Sequence, residues 1–331
     1  MRKRHDIGFT LVELLVATAV TALILVLLLQ MISISSSRWK NVIDNAQAFQ
    51  GARTAFDALT RTLSQATLNP EYDYYDAARQ SRMVLAANGD TAALANFKPA
   101  VYGRSSGLHF RSGKNLVNNQ HTHAIFFQAP MDFDASGTQD TASGQLSAVG
   151  FFIRQGDDSV NRPPNVSGSN PPPKSRFRLM QYMQPTAALD TYREASGTAW
   201  FTTDLNASSP ANAHILADNI VALAILPKVA DGPAGALAPG YEYDSRKSWT
   251  SGEQPAQMHQ LPPIVRILMV AIDEASADRD PLLGSSFQAL FQDPAQFDTD
   301  LATVETTLRD ARANYRIFQV DIPLRAAKWS K

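Results

Sequence analysis

The sequence predicts an α+β fold, with one long N-terminal helix followed by a β-rich head. Three observations indicate this fold. The most strongly apolar sequence is concentrated near the N-terminus. Apolar residues then recur at helical spacing up to about residue 66. The rest of the chain consists of short apolar runs broken by Gly, Pro, Asn and Asp, which is typical of strands and turns.

The N-terminal apolar block is long enough to cross a membrane. It has no charged residue from Leu14 to Ser37, and a bilayer-spanning helix needs about 20 apolar residues. We therefore predict that residues 10–32 span the membrane once. Basic residues at positions 2–4 precede the block, so the positive-inside rule places the N-terminus in the cytoplasm and the head on the other side.

Two simpler interpretations explain this block less well. A secretory signal peptide has an apolar region of only about 7–15 residues followed by a small-residue cleavage site. A generic membrane anchor is long enough, but it does not explain the carboxylate of Glu13 inside the apolar run. Because an ionisable group in lipid is costly, it usually marks a function and a partner.

The residues around this carboxylate carry a specific resemblance. Residues 8–17 read GFTLVELLVA and resemble the prepilin motif of type IV pilins and type II secretion pseudopilins. The resemblance implies that residues 1–8 are a leader, which a prepilin peptidase removes after Gly8. It also implies N-methylation of the new Phe9 amine. Glu13 is then expected to pair with the N-terminal amine of a neighbouring subunit during filament assembly.

A helical pattern continues beyond the membrane segment. No proline occurs before Pro70, and we predict one helix over residues 9–66. Its second half carries an apolar stripe with three- and four-residue spacing, formed by Trp39, Val42, Ile43, Ala46, Phe49, Ala52, Phe56, Leu59 and Leu63. A coiled-coil seam is the alternative, but the aromatic side chains favour packing against a sheet of the head.

The head is predicted to comprise residues 67–331 and to contain antiparallel β-sheets. Six apolar runs are the candidate strands: Ala124–Gln128, Leu146–Arg154, Phe177–Gln184, Ile215–Pro227, Ile264–Asp273 and Tyr315–Leu324. Long linkers are expected at Asp157–Ser175, Lys228–Pro263 and Glu274–Asp300, and one short late helix at Glu305–Ala313.

Three segments of the head resemble a subfamily of the same proteins. LADNIVAL at 216–223, LPPIVRILMVAID at 261–273 and YRIFQVDIPLR at 315–325 look like the strands of J-type minor pseudopilins. The length and the late motifs also resemble the Verru_Chthon cassette protein C family. These resemblances imply a minor pilin or pseudopilin in a type II secretion pseudopilus or type IV pilus-like filament. The expected location is the inner membrane, with a periplasmic head. Whether the subunit is later extracted from the membrane into a filament stays open.

The sequence contains no recognised catalytic motif, so we do not expect an enzyme. The chain has no cysteine, which excludes thiolate metal sites and a Cys nucleophile. His121 and His123 would share one strand face and could ligate a metal, although the pattern favours solvated histidines at a strand end. No firm cofactor is predicted.

One acidic run resembles part of a calcium-binding loop. Asp132, Asp134, Ser136 and Asp140 place side-chain oxygens at alternating positions around a glycine. Ser143 stands where a bidentate glutamate would be needed, so an ordinary Asp/Ser/Gly turn is favoured. Some pseudopilins use calcium to order a loop, so calcium binding at this acidic run stays a hypothesis.

The net charge bears on the remaining functional classes. At −1 it argues against a protein that binds nucleic acid mainly through phosphates. The favoured function is therefore structural, with partners that contact the N-terminal helix. A pilus-tip adhesin or a DNA-capture subunit is the alternative.

Overall fold

The computed structural model describes residues 49–131, 145–157, 173–192, 197–208, 210–229, 232–233 and 235–328, together with helical positions at 11, 14–16, 18–25, 28, 30 and 31. The chain divides into two compact units, Met1–Ala48 and Phe49–Lys331. Within the described residues, no helix combines the length and the apolar character that crossing a bilayer requires. The predicted helix over residues 9–66 lies partly outside the described residues.

The second unit begins with helix α1, Gln50–Ser64. It ends where the backbone N–H of Gln65 bonds to the carbonyl of Thr62 at 3.1 Å. The later helices are short except for the last one: α2 Arg82–Ala87, α3 Thr91–Ala95, α4 Ala199–Leu205, α5 Glu274–Arg279 and α6 Phe297–Asp310.

Eleven strands are present in the described part of this unit, and all their pairings are antiparallel. They are β1 Glu71–Tyr75, β2 Val101–Ser105, β3 Arg111–Gly113, β4 Gln120–Pro130, β5 Leu146–Gly156, β6 Arg176–Gln184, β7 Ala213–Asp218, β8 Ile220–Lys228, β9 Tyr243–Asp244, β10 Ile264–Ile272 and β11 Tyr315–Pro323. The predicted mixture of helices with antiparallel sheets is therefore confirmed.

The strands form three sheets. The largest has six strands in the order β7-β6-β5-β4-β3-β9, a second has the order β11-β10-β8, and β1 and β2 form a separate pair. Strand β8 of the three-stranded sheet contacts β4, β5 and β6 of the six-stranded sheet. The main hydrophobic core lies at this junction and includes α1 and α6.

The central strands β4 and β5 of the six-stranded sheet are buried on both faces. Ile125 and Phe151 belong to the main core, whereas their neighbours Phe126 and Phe152 belong to a second cluster with Trp200 of α4. Successive side chains of a strand point to opposite faces, so burial of both faces requires a continuous apolar run. This is why β4 and β5 could be recognised in the sequence.

The prediction of one strand at Ile215–Pro227 is wrong in one respect. This segment forms two strands in different sheets, β7 and β8, separated by Asn219 with a φ of 61°. Asparagine tolerates this left-handed conformation, which turns the chain from one sheet into the other. The residues on both sides are apolar, so the break is not visible in the hydropathy pattern.

The late helix and two predicted linkers also differ from expectation. Helix α6 begins at Phe297 rather than Glu305. Asp298 and Asp300 lie in its first turn, where the helix dipole stabilises carboxylates. The predicted linker Glu274–Asp300 contains α5, whose first turn is capped when Asp273 accepts from the Ser276 N–H at 2.9 Å. The linker Lys228–Pro263 contains β9.

Candidate functional site

The three residues with the strongest predicted roles, Gly8, Phe9 and Glu13, lie outside the described residues. The described residues that follow are helical and expose large apolar side chains. Leu14, Leu15 and Leu23 are each about 60% exposed. Thr18 satisfies its hydroxyl within the helix by donating to the carbonyl of Leu15 at 3.0 Å. The described residues of this segment therefore offer an apolar helical surface.

Helix α1 uses its apolar stripe to pack within the head. Its buried side chains are Ala52, Ala55, Phe56, Leu59, Thr62 and Leu63. The ring centroids of Phe56 and of Phe318 in β11 are 5.5 Å apart. The predicted packing of these residues on an antiparallel sheet is confirmed for this helix. As a result, the helix that follows the N-terminal segment is part of the main core.

The predicted histidine pair occupies a bulge of β4 instead of a metal site. Thr122 has a φ of 61°, and the pairing of β4 with β5 shifts register between His121 and Ala124. This bulge turns His121, Thr122 and His123 away from a regular strand geometry. Both histidines are buried, so the expectation of solvated rings is wrong.

Both imidazoles bond to backbone groups. The Nε2 atom of His121 donates to the carbonyl of Val221 at 3.0 Å. The Nδ1 atom of His123 accepts from the Ile225 N–H at 2.9 Å, and its Nε2 donates to the carbonyl of Phe291 at 2.9 Å. Because both ring nitrogens of His123 are already used in hydrogen bonds, the two histidines cannot act together as metal ligands.

Burial also determines how these histidines titrate. It lowers the pKa of His123 to about 4, because the charged imidazolium loses its solvation there. Burial likewise lowers the pKa of His121. Both rings are consequently neutral near pH 7, and the acceptor role of His123 Nδ1 requires this state.

A second buried polar cluster was not predicted. His109 Nδ1 accepts from the indole N–H of Trp200 at 3.1 Å, so its Nε2 carries the proton and donates to Asp244 at 2.9 Å. Arg111 lies 3.4 Å from the same carboxylate. Burial lowers the pKa of His109, whereas its bond to Asp244 raises it and is the weaker influence.

The geometry of this cluster is structural rather than catalytic. The nearby hydroxyl of Ser245 accepts the Phe110 N–H at 2.8 Å, and His109 has no free nitrogen with which to activate it. No sequence signal could have found the cluster, because His109 and Asp244 are 135 residues apart and follow no shared motif.

The calcium candidates Asp132, Asp134, Ser136 and Asp140 lie outside the described residues. Within the described ranges, no group of three or more His, Cys, Asp or Glu side chains is arranged to hold a metal ion.

Comparison with known families gives a match in the N-terminal part of the chain. Residues 3–29 match the prokaryotic N-terminal methylation motif, and this motif indicates a type IV pilin-like protein. Comparison of the chain with curated proteins gives no significant match. The match covers residues 3–8 of the predicted leader, the predicted cleavage position and most of the apolar block, and it does not extend into the predicted head.

Proposed function

We propose that this chain is a minor pilin or pseudopilin subunit that assembles into a type II secretion pseudopilus or a type IV pilus-like filament. The observation that carries the proposal is the N-terminal methylation motif at residues 3–29. The head adds support, because the helix that follows the motif is built into its core through Phe56 and Phe318.

In this proposal the residues of the motif take part in three steps. A prepilin peptidase cleaves after Gly8, the Phe9 amine is methylated, and Glu13 pairs with the amine of a neighbouring subunit. The physical basis of the last step is that two opposite charges in an apolar bundle satisfy each other and fix the axial register. The exposed leucines beyond residue 13, together with Ile24, supply the surface for lipid and for neighbouring helices.

The proposed location follows from the same motif. The protein would span the inner membrane once through residues 10–32, with a cytoplasmic N-terminus and a periplasmic head. The length of the head, from about residue 67 to 331, favours a minor subunit, and its late strands favour a J-type role. The proposed work is assembly rather than catalysis.

Mass spectrometry of the mature N-terminus tests the central step. The full chain is expressed with a prepilin peptidase and its methylase activity, and the expected product begins with N-methylated Phe9. An intact leader, or cleavage at another bond, would contradict the proposal. As a matched pair, Glu13→Gln should be cleaved normally but should enter filaments poorly, whereas the neighbouring exposed position Leu14→Ile should do both normally.

A further inference from the structure

The two antiparallel sheets of the main core are joined along the outer edge of β8. One side of β8 pairs with β10, and the backbone groups of Val221, Leu223 and Ile225 point away from that partner. An edge of this kind normally needs a covering element, because buried N–H and C=O groups cannot remain unpaired.

Three consecutive side chains of the β4 bulge cover this edge. His121 donates to the Val221 carbonyl, the Thr122 hydroxyl accepts the Leu223 N–H at 3.1 Å, and His123 accepts the Ile225 N–H. We call these three bonds the β4–β8 seam. All three side chains are buried, so water does not compete for the bonds.

The two histidines of the seam respond differently to a proton. His121 acts as a donor to a carbonyl, and it stays a donor when it is protonated. The backbone of Gly284 lies within hydrogen-bonding reach of the same ring and also favours the charged form. His123, in contrast, uses Nδ1 as an acceptor. A second proton must bind at that atom, where it would face the N–H of Ile225.

Backbone contacts with Phe291 and Ile225 favour the charged form of His123, but its burial outweighs them. The rings of Tyr241 and Phe291 lie 4.7 and 6.4 Å from the imidazole, between ring centroids. Lys114 lowers the pKa of both seam histidines, and the seam residues of β8 are apolar. Asp300 of α6 is the nearby carboxylate, but it accepts the Phe291 N–H at 2.7 Å and also attracts Lys114.

We propose that the His123–Ile225 bond is an acid-sensitive joint, which releases β8 from the β4 bulge when His123 is protonated at Nδ1. The strand ladders within each sheet contain no histidine-dependent bond of this kind among the described residues. Acid would therefore loosen the contact between the three-stranded and the six-stranded sheet before it disrupts either sheet. This property is independent of filament assembly.

The direction of the pH effect follows from the linkage between proton binding and opening. In the open seam His123 titrates near its ordinary pKa of 6.5, whereas in the closed seam its pKa is about 4. Between these values the open state binds more protons, so closure weakens as the pH falls. The opening constant should rise by up to about tenfold per pH unit, and by about 80-fold from pH 6.5 to 4.

Site-resolved amide hydrogen exchange on the full chain in detergent tests the joint, with rates corrected for the intrinsic effect of pH. The expected result is that the Ile225 and Leu223 amides lose protection between pH 6.5 and 4.5, while the amides that pair β5 with β6 keep theirs. If Ile225 stays equally protected, or if all strands lose protection in a single step, the proposal is wrong.

Two isosteric variants separate the joint from general acid sensitivity. His123→Asn keeps an acceptor near the Nδ1 position but cannot titrate, so its Ile225 amide should show no acid-dependent opening. His121→Gln keeps the donor to Val221 and should retain the acid response of the parent. Equal loss of the response in both variants would overturn the assignment to His123.

Should His123→Asn not fold, the same assignment is decided by histidine ¹⁵N NMR of the parent. Protonation of His123 Nδ1 must then coincide with Ile225 opening, and a mismatch in pH would refute it.

Discussion

Phe56 of α1 and Phe318 of β11 pack against each other with ring centroids 5.5 Å apart and ring planes tilted by 33°. The first helix of the head therefore contacts its last strand, although the two residues are far apart in the sequence. Because Phe318 lies in the strand that pairs with β10, the contact anchors the helix to the three-stranded sheet. The apolar stripe of α1 is thus anchored to the closing strand of the fold.

Truncating this contact should destabilise the head. Phe56 is 8% exposed, and Phe56→Ala would leave a cavity between α1 and β11. We expect the free energy of unfolding to fall by about 3 kcal/mol, as measured by urea denaturation followed by circular dichroism. The adjacent exposed residue provides the control, since Asp57→Ala should change stability by less than about 0.5 kcal/mol. Similar losses in both variants would show that α1 is not anchored by its apolar stripe.

Two glycines of β5 offer a matched test of close packing in the second cluster. A methyl group at Gly150 would overlap the ring of Phe126, which itself stacks on Phe201 with ring centroids 4.0 Å apart. A methyl group at Gly156, near the end of the same strand, would meet nothing within 4 Å. We expect Gly150→Ala to lower the melting temperature, at a cost of about 1–3 kcal/mol, and Gly156→Ala to have little effect. A stable Gly150→Ala variant would contradict the observed stacking.

The sequence predicted those elements whose burial leaves a periodic or continuous apolar pattern. Helix α1 was visible because only one face is buried, and β5, β6 and β10 were visible because both faces are covered. The break at Asn219 was missed because it depends on one backbone conformation within an apolar run. The short helices α2 to α5 were missed because each has too few turns to show a period.

The predicted site residues show the same limit. The neighbouring positions of His121 and His123 drew attention to the pair, but their bonding partners Val221 and Ile225 lie about 100 residues away. No local spacing distinguishes a metal ligand from a side chain that covers a strand edge. The distinction depends on tertiary contacts.

The link between His109 and Trp200 leads to a third prediction. His109→Ala would leave both the Trp200 indole N–H and the Asp244 carboxylate without the buried partner that they now share. Because an unsatisfied buried polar group is costly, we expect a loss of about 3 kcal/mol and a shifted tryptophan fluorescence spectrum. His214→Ala, at an exposed position of β7, is the control and should alter neither quantity. An unchanged spectrum for His109→Ala would rule out the bond to Trp200.

The ion pairs at the start of β6 give a prediction at more acidic pH. Arg176 donates to Glu274 at 2.8 Å and also to Asp278, and Lys174 donates to Glu274 at 3.1 Å. The bond from Arg176 is the main cause that lowers the pKa of Glu274 to about 2. A carboxyl group whose pKa is lowered on folding stabilises the native state above its ordinary pKa of 4.5, and this stabilisation is lost as the pH falls towards 2.

Replacing the carboxylate should remove this part of the pH dependence. We expect Glu274→Gln to be less stable than the parent at pH 6, and the difference should shrink steadily between pH 4.5 and 2 in urea titrations. Since Glu274 is largely exposed, solvent screening keeps the effect small. Glu305→Gln, in α6 and without such an ion pair among those described, serves as the control for the removed charge and should follow the parent throughout. A constant difference between Glu274→Gln and the parent across this range would mean that Arg176 stabilises the fold through its other contacts, such as Asp278.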